Sequence, residues 1–254
     1  MVTLEVNGLS FSYPAMDILS EVSFTVNKGD CIAVLGMNGA GKSTLLKCIN
    51  RVLKKSCGDV SIEGESIDGF SPNELAKRIS YVVQKTSFAD MSVFDTVLLG
   101  RKPYIVWDTT QSDHEKVRDV LKTMSLDRFA LRNVNNLSGG EAQKVSIARA
   151  IVQETDIMLL DEPTSNLDLK NQLEVVSLIK KIAKEKDIAA VVTMHDINLA
   201  LRFADKFIFL KDREIYAVGG KECVTPETIS DVYGVDVKVV DVDDTTMVIP
   251  DSIP

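Results

Sequence analysis

Two patterns of apolar residues run along this chain, and they predict two kinds of β-structure. In the first part, apolar side chains alternate with polar ones, which is the period of strands with one buried face. The alternating residues are Leu4, Val6, Val22, Phe24, Val26, Val60 and Ile62. We therefore expect an antiparallel sheet near the N-terminus.

Later apolar stretches are continuous. They cover residues 32–35, 157–160, 188–192 and 207–210. Short unbroken apolar runs suit strands that are buried on both faces, as in a parallel sheet with helices on either side. The fold class predicted from both patterns is α/β, with a mainly parallel sheet in its core.

Helix-start signals fill much of the segment between the runs. A Ser followed three residues later by an acidic residue is the pattern of a capping box. It occurs at Ser71, Ser92 and Ser112, and Thr225-Pro226 predicts one more short helix before Gly234. We expect a single domain in which residues 87–153, mostly helical, are inserted into a core made of residues 1–86 and 154–254.

Composition narrows the class of protein. A chain of 254 residues with 45% hydrophobic content can bury a sizeable core. Its net charge of -8 argues against a nucleic-acid groove, and no apolar run approaches the roughly 18 residues of a membrane span. The cysteines lack metal-ligand spacing and no secretory leader is visible, so we expect reduced thiols in the cytosol. They are Cys31, Cys48, Cys57 and Cys223.

A phosphate-binding pattern follows the first continuous run. Gly36-Met37-Asn38-Gly39-Ala40-Gly41-Lys42-Ser43 fits G-x-x-x-x-G-K-[ST] between a predicted strand and a predicted helix. Its glycines allow successive N–H groups to point inward at the β- and γ-phosphates of a nucleotide. Lys42 would add a full positive charge there, and the Ser43 hydroxyl would ligate Mg²⁺.

Two carboxylates end the second continuous run. Asp161 and Glu162 stand where α/β sheets present their ligand-binding edge. Asp161 would hold Mg²⁺ through water or through the Ser43 hydroxyl, and Glu162 would polarise an attacking water.

The stretch Leu137-Ser138-Gly139-Gly140-Glu141 admits two interpretations. By itself it is a capping box between Ser138 and Glu141. Alternatively, the Ser138 hydroxyl and the amides of Gly139 and Gly140 are offered to a γ-phosphate at a helix start. Beside the P-loop and Asp161-Glu162, the stretch resembles the signature sequence of ATP-binding cassette (ABC) proteins, and that resemblance covers nearly the whole chain.

The resemblance implies a P-loop NTPase core of the ABC type, with an N-terminal antiparallel β subdomain and an inserted helical subdomain. In that family the signature of one subunit caps ATP held by the P-loop of another. Two copies of this chain would therefore sandwich two MgATP, with ATP holding the dimer together and hydrolysis releasing it.

Other positions take roles from the same resemblance. Tyr13 is similar to the aromatic residue that stacks on adenine, Gln84 to the Q-loop residue that senses Mg²⁺ and the partner, and His195 to the switch histidine at the γ-phosphate. Asp168 resembles the aspartate that crosses the dimer interface. Thr44 and Glu141 complete the predicted nucleotide-binding set, while Ala142 and Asn166 depart from the family's usual residues.

Three segments resemble the ATPases of iron-siderophore, haem and cobalamin importers in particular. They are 88–104, which ends in Gly100-Arg101-Lys102-Pro103-Tyr104, 195–200 and 225–235. This resemblance implies a peripheral subunit on the cytoplasmic face of the membrane, a transmembrane permease dimer as partner and, indirectly, an external substrate-binding protein. The segment after Gln84 would receive a permease helix. Alternatively or in addition, it is an ordinary amphipathic helix with Val93, Val97 and Leu98 facing the core.

Two other functions stay open at this point. One is the ATPase of a different ABC transporter, with another cargo or working as an exporter. The other is a non-transport ABC ATPase acting in repair, translation or cluster assembly, although this chain has neither a long coiled-coil insertion nor a second cassette.

Overall fold

The computed structural model describes residues 2–84, 87–165, 167–243 and 245–251. Across these ranges, none of the helices combines the length and apolar composition needed to cross a lipid bilayer. The strands are β1 (Val2–Tyr13), β2 (Met16–Asn27), β3 (Cys31–Leu35), β4 (Cys57–Ile62), β5 (Glu65–Ser66), β6 (Ile79–Val82), β7 (Ile157–Asp161), β8 (Ala189–Thr193), β9 (Lys206–Lys211), β10 (Glu214–Gly219), β11 (Val237–Val242) and β12 (Thr245–Pro250). The α-helices are α1 (Lys42–Ile49), α2 (Pro72–Arg78), α3 (Val93–Leu98), α4 (Gln111–Thr123), α5 (Gly139–Ile151), α6 (Leu169–Glu185), α7 (Ile197–Phe203) and α8 (Pro226–Tyr233).

The alternating residues form the predicted antiparallel sheet, in the order β2-β1-β4-β5. Val6 in its middle lies opposite Phe24 on one side and Val60 on the other. All seven residues of the alternating pattern are buried. The prediction of an antiparallel sheet is confirmed.

The continuous runs form a second sheet, in the order β10-β9-β3-β8-β7-β6. It is parallel apart from β10, which pairs antiparallel with β9. Successive side chains of β3 enter different cores: Ala33 and Leu35 pack on one face, and Ile32 and Val34 pack on the other with the antiparallel sheet. Because both faces are covered, every position of the run is apolar, as predicted.

The segment between β6 and β7 is mostly helical, as predicted. It holds α3, α4 and α5 with short 3-10 turns at Leu99–Tyr104, Asp127–Phe129 and Val134–Asn136. Ser71 and Ser92 cap α2 and α3. The prediction that Ser112 caps a helix is wrong, because Thr110 and Asp113 form the capping box of α4 two residues earlier.

Arg101 ties this helical segment together. Its side chain is buried, and its Nε donates to Asp113 Oδ1 over 2.9 Å. One of its terminal nitrogens donates to the Val152 carbonyl over 2.9 Å, just beyond α5, and the guanidinium lies 4.0 Å from the centre of the Tyr104 ring. Arg101 and Tyr104 of the Gly-Arg-Lys-Pro-Tyr sequence thus join α4 to the end of α5.

The C-terminal part adds α8 and a hairpin. Thr225 caps α8, which ends before Gly234 as predicted, and Gly234 itself is left-handed with φ 71°. The antiparallel pair β11-β12 follows. Asn198 of α7 fastens the hairpin, because its side chain donates to the Val248 carbonyl over 3.0 Å and accepts the Val248 N–H over 2.8 Å.

The cysteines are free thiols. Burial raises the pKa of the Cys31 thiol to about 12 and that of the Cys48 thiol to about 11. Both stay protonated near neutral pH, and they pack as small apolar side chains in the two cores.

Candidate nucleotide-binding and catalytic site

Four neighbouring parallel strands end at one edge of the larger sheet. In sheet order they are β3, β8, β7 and β6. The P-loop follows β3, His195 follows β8, Asp161 ends β7 with Glu162 directly after it, and Gln84 follows β6. The carboxyl ends of parallel strands share an edge, which explains how residues so distant in sequence come together.

The P-loop between β3 and α1 requires its glycines. Gly36, Gly39 and Gly41 have φ angles of 145°, 84° and 101°, a region that other residues rarely adopt. A Cβ on Gly36 would lie 2.4 Å from the Leu210 carbonyl oxygen, and one on Gly41 would lie 2.8 Å from a methyl carbon of Leu19. The loop's apex, Met37-Asn38-Gly39, is exposed, and Ala40, Ser43 and Thr44 are half-buried.

Lys42 is folded back onto the P-loop. Its Nζ donates to the Gly36 carbonyl over 2.7 Å and to the Met37 carbonyl over 3.0 Å. Burial lowers the pKa of the Lys42 ammonium, while Glu162 and Asp161 act in the opposite direction. Neutral carbonyls do not cancel the ammonium's charge, so this buried group suits an anionic oxygen such as that of a phosphate.

Asp161 is buried and receives three hydroxyl groups. Ser43 and Thr193 each donate to its Oδ1 over 2.8 Å, and the Tyr81 hydroxyl donates to its Oδ2 over 3.3 Å. Burial and the Asp161 charge raise the pKa of Tyr81. Hydroxyl and carboxylate oxygens are the hard donors that Mg²⁺ prefers, so Ser43 and Asp161 fit that ion.

Thr193 and Tyr81 were missed by sequence reasoning. The available signal was positional, since Thr193 is the last residue of β8 and lies opposite Asp161 in the sheet register. Tyr81 occupies the neighbouring strand β6, three residues before Gln84. Their role becomes visible only once the strand order is known.

Glu162 joins the other two residues that were predicted to act in catalysis. Its carboxylate accepts a hydrogen bond from Gln84 Nε2, and Nε2 of His195 lies against its other oxygen. Its backbone is left-handed, with φ 46°, and its N–H donates to Thr193 Oγ1 over 2.8 Å. A carboxylate held this way at a strand end can polarise a water molecule.

Tyr13 lies at the end of β1 with about half of its surface exposed, at 49%. Its ring meets Phe11 edge-on, with the centroids 4.9 Å apart. The strand that follows it, β2, runs against the P-loop, because the Ile18 carbonyl would be 3.0 Å from a Cβ on Gly41. An exposed ring on this hairpin can stack on a planar base.

The signature segment stands at the start of α5 and forms the predicted capping box. Ser138 accepts the Glu141 N–H over 3.4 Å and donates to Glu141 Oε2 over 2.7 Å. Gly139 has open space where a side chain would be, and Ala142 lies in the same first turn. Among the described residues, none of these hydrogen bonds reaches the P-loop.

Asp168 lies beside the signature. A Cβ on Gly140 would be 2.8 Å from the Asn171 side chain, and Asn171 in turn donates to the Asp168 carboxylate over 3.0 Å. Asp168 also caps α6 by accepting the Asn171 N–H over 2.8 Å. Asn166, which was noted as a departure from the family pattern, lies outside the described residues.

Comparison with known proteins identifies relatives along the whole chain. Residues 19–165 match the ABC transporter family. The ABC transporter ATP-binding protein MJ0089 of Methanocaldococcus jannaschii is 52% identical over 250 residues, or 98% of each chain. YusV of Bacillus subtilis, named as a siderophore transport system ATP-binding protein, is 36% identical over 94% of this chain and 88% of its own. A solved structure described as a metal-chelate type ABC transporter, in an inward-facing conformation, aligns with a TM-score of 0.86 and 30% identity, covering 98% of this chain and 97% of that one.

The family match spans the P-loop, Gln84, the signature and Asp161-Glu162. The matched range thus includes the ends of β3, β6 and β7 and the start of α5, whereas His195 and Asp168 lie beyond it. This chain belongs to the ABC transporter family and is the subunit that binds and hydrolyses ATP.

Proposed function

We propose that this protein powers an importer of a metal chelate, of the iron-siderophore, haem or cobalamin kind. Two copies would act on a transmembrane permease dimer from the cytoplasmic face of the membrane, with an external binding protein delivering the cargo. Support for the cargo class comes from the similarity to YusV and to the metal-chelate type transporter.

The observation that supports the dimer proposal is that the P-loop and the signature segment lie on different elements, with no hydrogen bond joining them among the described residues. The P-loop cluster offers Lys42 and Ser43, whereas Ser138 presents a helix start in a different part of the same chain. Since a helix start attracts anions, a second copy can bring its Ser138 to the phosphates bound here. Two copies would then complete two sites.

Within each site, we assign the chemistry to named groups. The P-loop amides and Lys42 would bind the β- and γ-phosphates, while Ser43, Asp161 and Gln84 would hold Mg²⁺. When bound, Mg²⁺ neutralises charge on the phosphate oxygens. Glu162 polarises the attacking water, His195 contacts the γ-phosphate and Tyr13 stacks on the adenine.

We propose that residues 87–153 form a helical subdomain inserted into a core made of residues 1–86 and 154–254. The permease would dock on this helical subdomain. Support comes from a cavity of about 350 Å³, lined by Phe94, His114, Arg118, Leu121, Asp127, Ala130 and Leu131. Leu131 is 92% exposed, and Trp107 in the same subdomain is 97% exposed. Large apolar side chains left in water mark interaction surfaces.

The test is purification of the tagged chain from detergent-solubilised membranes of its native cell, followed by mass spectrometry. We expect a multispanning permease at equal stoichiometry. Leu131→Asp should lose the permease while retaining ATP hydrolysis. Val52→Asp, at another exposed apolar position, is the matched control and should retain both.

The remaining outcomes separate the alternatives. A permease of an exporter family, or of an importer for another cargo, would replace the metal-chelate proposal. Recovery from the soluble fraction alone, without a permease, would favour a non-transport ABC ATPase.

A further inference from the structure

Tyr233 reaches the P-loop from the C-terminal part of the chain. The Gly36 N–H donates to the Tyr233 hydroxyl over 3.0 Å, across 197 positions of sequence. Gly36 is the first residue after β3, so this amide opens the P-loop. Tyr233 is the last residue of α8, and it packs against the hydrophobic core that contains Ala33 and Leu35 of β3.

Gly36 is held from several sides. Its carbonyl accepts from Lys42 Nζ over 2.7 Å, and the position of its missing Cβ lies 2.4 Å from the Leu210 carbonyl. The Lys42 ammonium has three N–H donors. Two of them go to the Gly36 and Met37 carbonyls, so one remains for a phosphate oxygen. The hydrogen bond that the Gly36 N–H donates to Tyr233 does not involve Lys42, so it can hold the Gly36 peptide while Lys42 binds a phosphate.

We propose that Tyr233 is a positioning residue for nucleotide binding: its hydroxyl fixes the first peptide of the P-loop in the orientation that cradles phosphate. This inference rests on the proposed nucleotide site at Gly36–Ser43. It gives a role to the segment 225–235, which resembles importer ATPases but supplies no predicted nucleotide ligand.

Neighbouring residues hold the C-terminal end of α8, where Tyr233 lies, in a defined conformation. Gly234 ends α8 in a left-handed turn with φ 71°, and the Ser230 hydroxyl bonds Asp236 over 3.1 Å. Burial raises the pKa of Tyr233 to about 12, so the hydroxyl is neutral near pH 7. A neutral hydroxyl accepts the Gly36 N–H without placing negative charge beside the phosphates.

The same C-terminal part also contacts the other side of the site. Asn198 pairs through two hydrogen bonds with Val248 of β12, and α7, which carries Asn198, begins two residues after His195. Residues 226–250 therefore contact both the P-loop and the helix that follows the switch histidine.

The experiment compares Tyr233→Phe with Tyr216→Phe in the full chain. Both remove one phenolic hydroxyl, but Tyr216 bonds Asp231 on the exposed side of α8 and does not touch the P-loop. Affinity for MgATP is measured with a fluorescent ATP analogue by competition, together with KM, kcat and the melting temperature without nucleotide.

We expect Tyr233→Phe to weaken MgATP binding about fivefold, the factor that corresponds to a lost hydrogen bond of roughly 1 kcal/mol. KM should rise by a similar factor and kcat should change less, while Tyr216→Phe binds as the wild type does. A general loss of stability would lower the melting temperature without this split between KM and kcat. Affinity equal to that of Tyr216→Phe would overturn the proposal.

Two further measurements keep the outcome clear. In the wild-type protein without nucleotide, the Gly36 amide should exchange its hydrogen slowly, and rapid exchange would contradict the anchor even if Tyr233→Phe fails to fold. Lys42→Ala tests the proposed nucleotide site separately. If Lys42→Ala loses MgATP and Tyr233→Phe does not, the nucleotide site stands and only this inference fails.

Discussion

The Ser43 hydroxyl donates a 2.8 Å hydrogen bond to Asp161, although 118 positions separate the two residues. The bond joins the start of α1 to the end of β7, so it connects the P-loop with the strand that leads to Glu162. It also brings together two oxygen donors of the kind that bind Mg²⁺.

Removing the Ser43 hydroxyl should weaken the response to Mg²⁺. We expect Ser43→Ala to need roughly tenfold more Mg²⁺ for half-maximal ATP hydrolysis, because one oxygen donor is lost. Ser66→Ala is the matched control, since Ser66 makes a similar 2.6 Å bond to Asp59 in the antiparallel sheet. An unchanged Mg²⁺ titration for Ser43→Ala would remove Ser43 from the proposed metal site.

Glu162→Gln should separate ATP binding from ATP hydrolysis. The amide keeps the shape of the side chain but cannot act as a base, so kcat should fall by about 10²-fold or more. MgATP binding should persist and the dimer should accumulate, which size-exclusion chromatography with MgATP detects. Glu63→Gln, at a surface ion pair with Arg78, should behave as the wild type. Retained hydrolysis would contradict the assignment of Glu162.

Thr193 links the two acidic residues at the end of β7. It is fully buried, and its hydroxyl donates to Asp161 while accepting the Glu162 N–H. Thr193→Val should cost about 1–3 kcal/mol of unfolding free energy, since it leaves buried polar groups without a partner. Thr193→Val should also lower kcat.

Urea unfolding and steady-state kinetics measure the two effects. Thr193→Ser, which keeps the hydroxyl, should restore both the unfolding free energy and kcat. Equal kcat values for the two variants would mean that Thr193 has no role in positioning Glu162.

Acid should weaken the helical segment through Asp113. Hydrogen bonds from Thr110 and the ion pair with Arg101 lower the pKa of Asp113 from 3.8 to about 2. The charged carboxylate therefore stabilises the fold above about pH 4, and that contribution is lost as the pH falls toward 2. We expect Asp113→Asn to reduce the change in unfolding free energy over this pH interval by about 1 kcal/mol, allowing for solvent screening.

Urea unfolding at several pH values measures this change in unfolding free energy, with Asp119→Asn on the exposed face of α4 as the control. Equal pH dependence in the two variants would show that Asp113 does not govern the loss of stability in acid.

The sequence predicted strands and helix starts correctly where the pattern involves residues close together along the chain. Alternation from Leu4 to Val26 indicated half-buried strands, and Ser71 and Ser92 marked helix starts by the spacing of their own capping partners. The error at Ser112 shows the limit of such signals. Two overlapping capping patterns compete there, and the buried Arg101, twelve positions away from Asp113, favours the one that begins at Thr110.

The sequence by itself determined the groups that are consecutive along the chain. They are the glycines that permit the P-loop turn, Lys42 and Ser43 after them, and the pair Asp161-Glu162 at a strand end. Only the tertiary structure decided which of these groups meet, because strand order and register are set by packing across the whole chain. That is why Thr193 is bonded to Asp161, why Gln84 and His195 both engage Glu162, and why Tyr233 holds Gly36. The residues next to a side chain in the sequence do not predict hydrogen-bond partners that lie about 30 to 200 positions away.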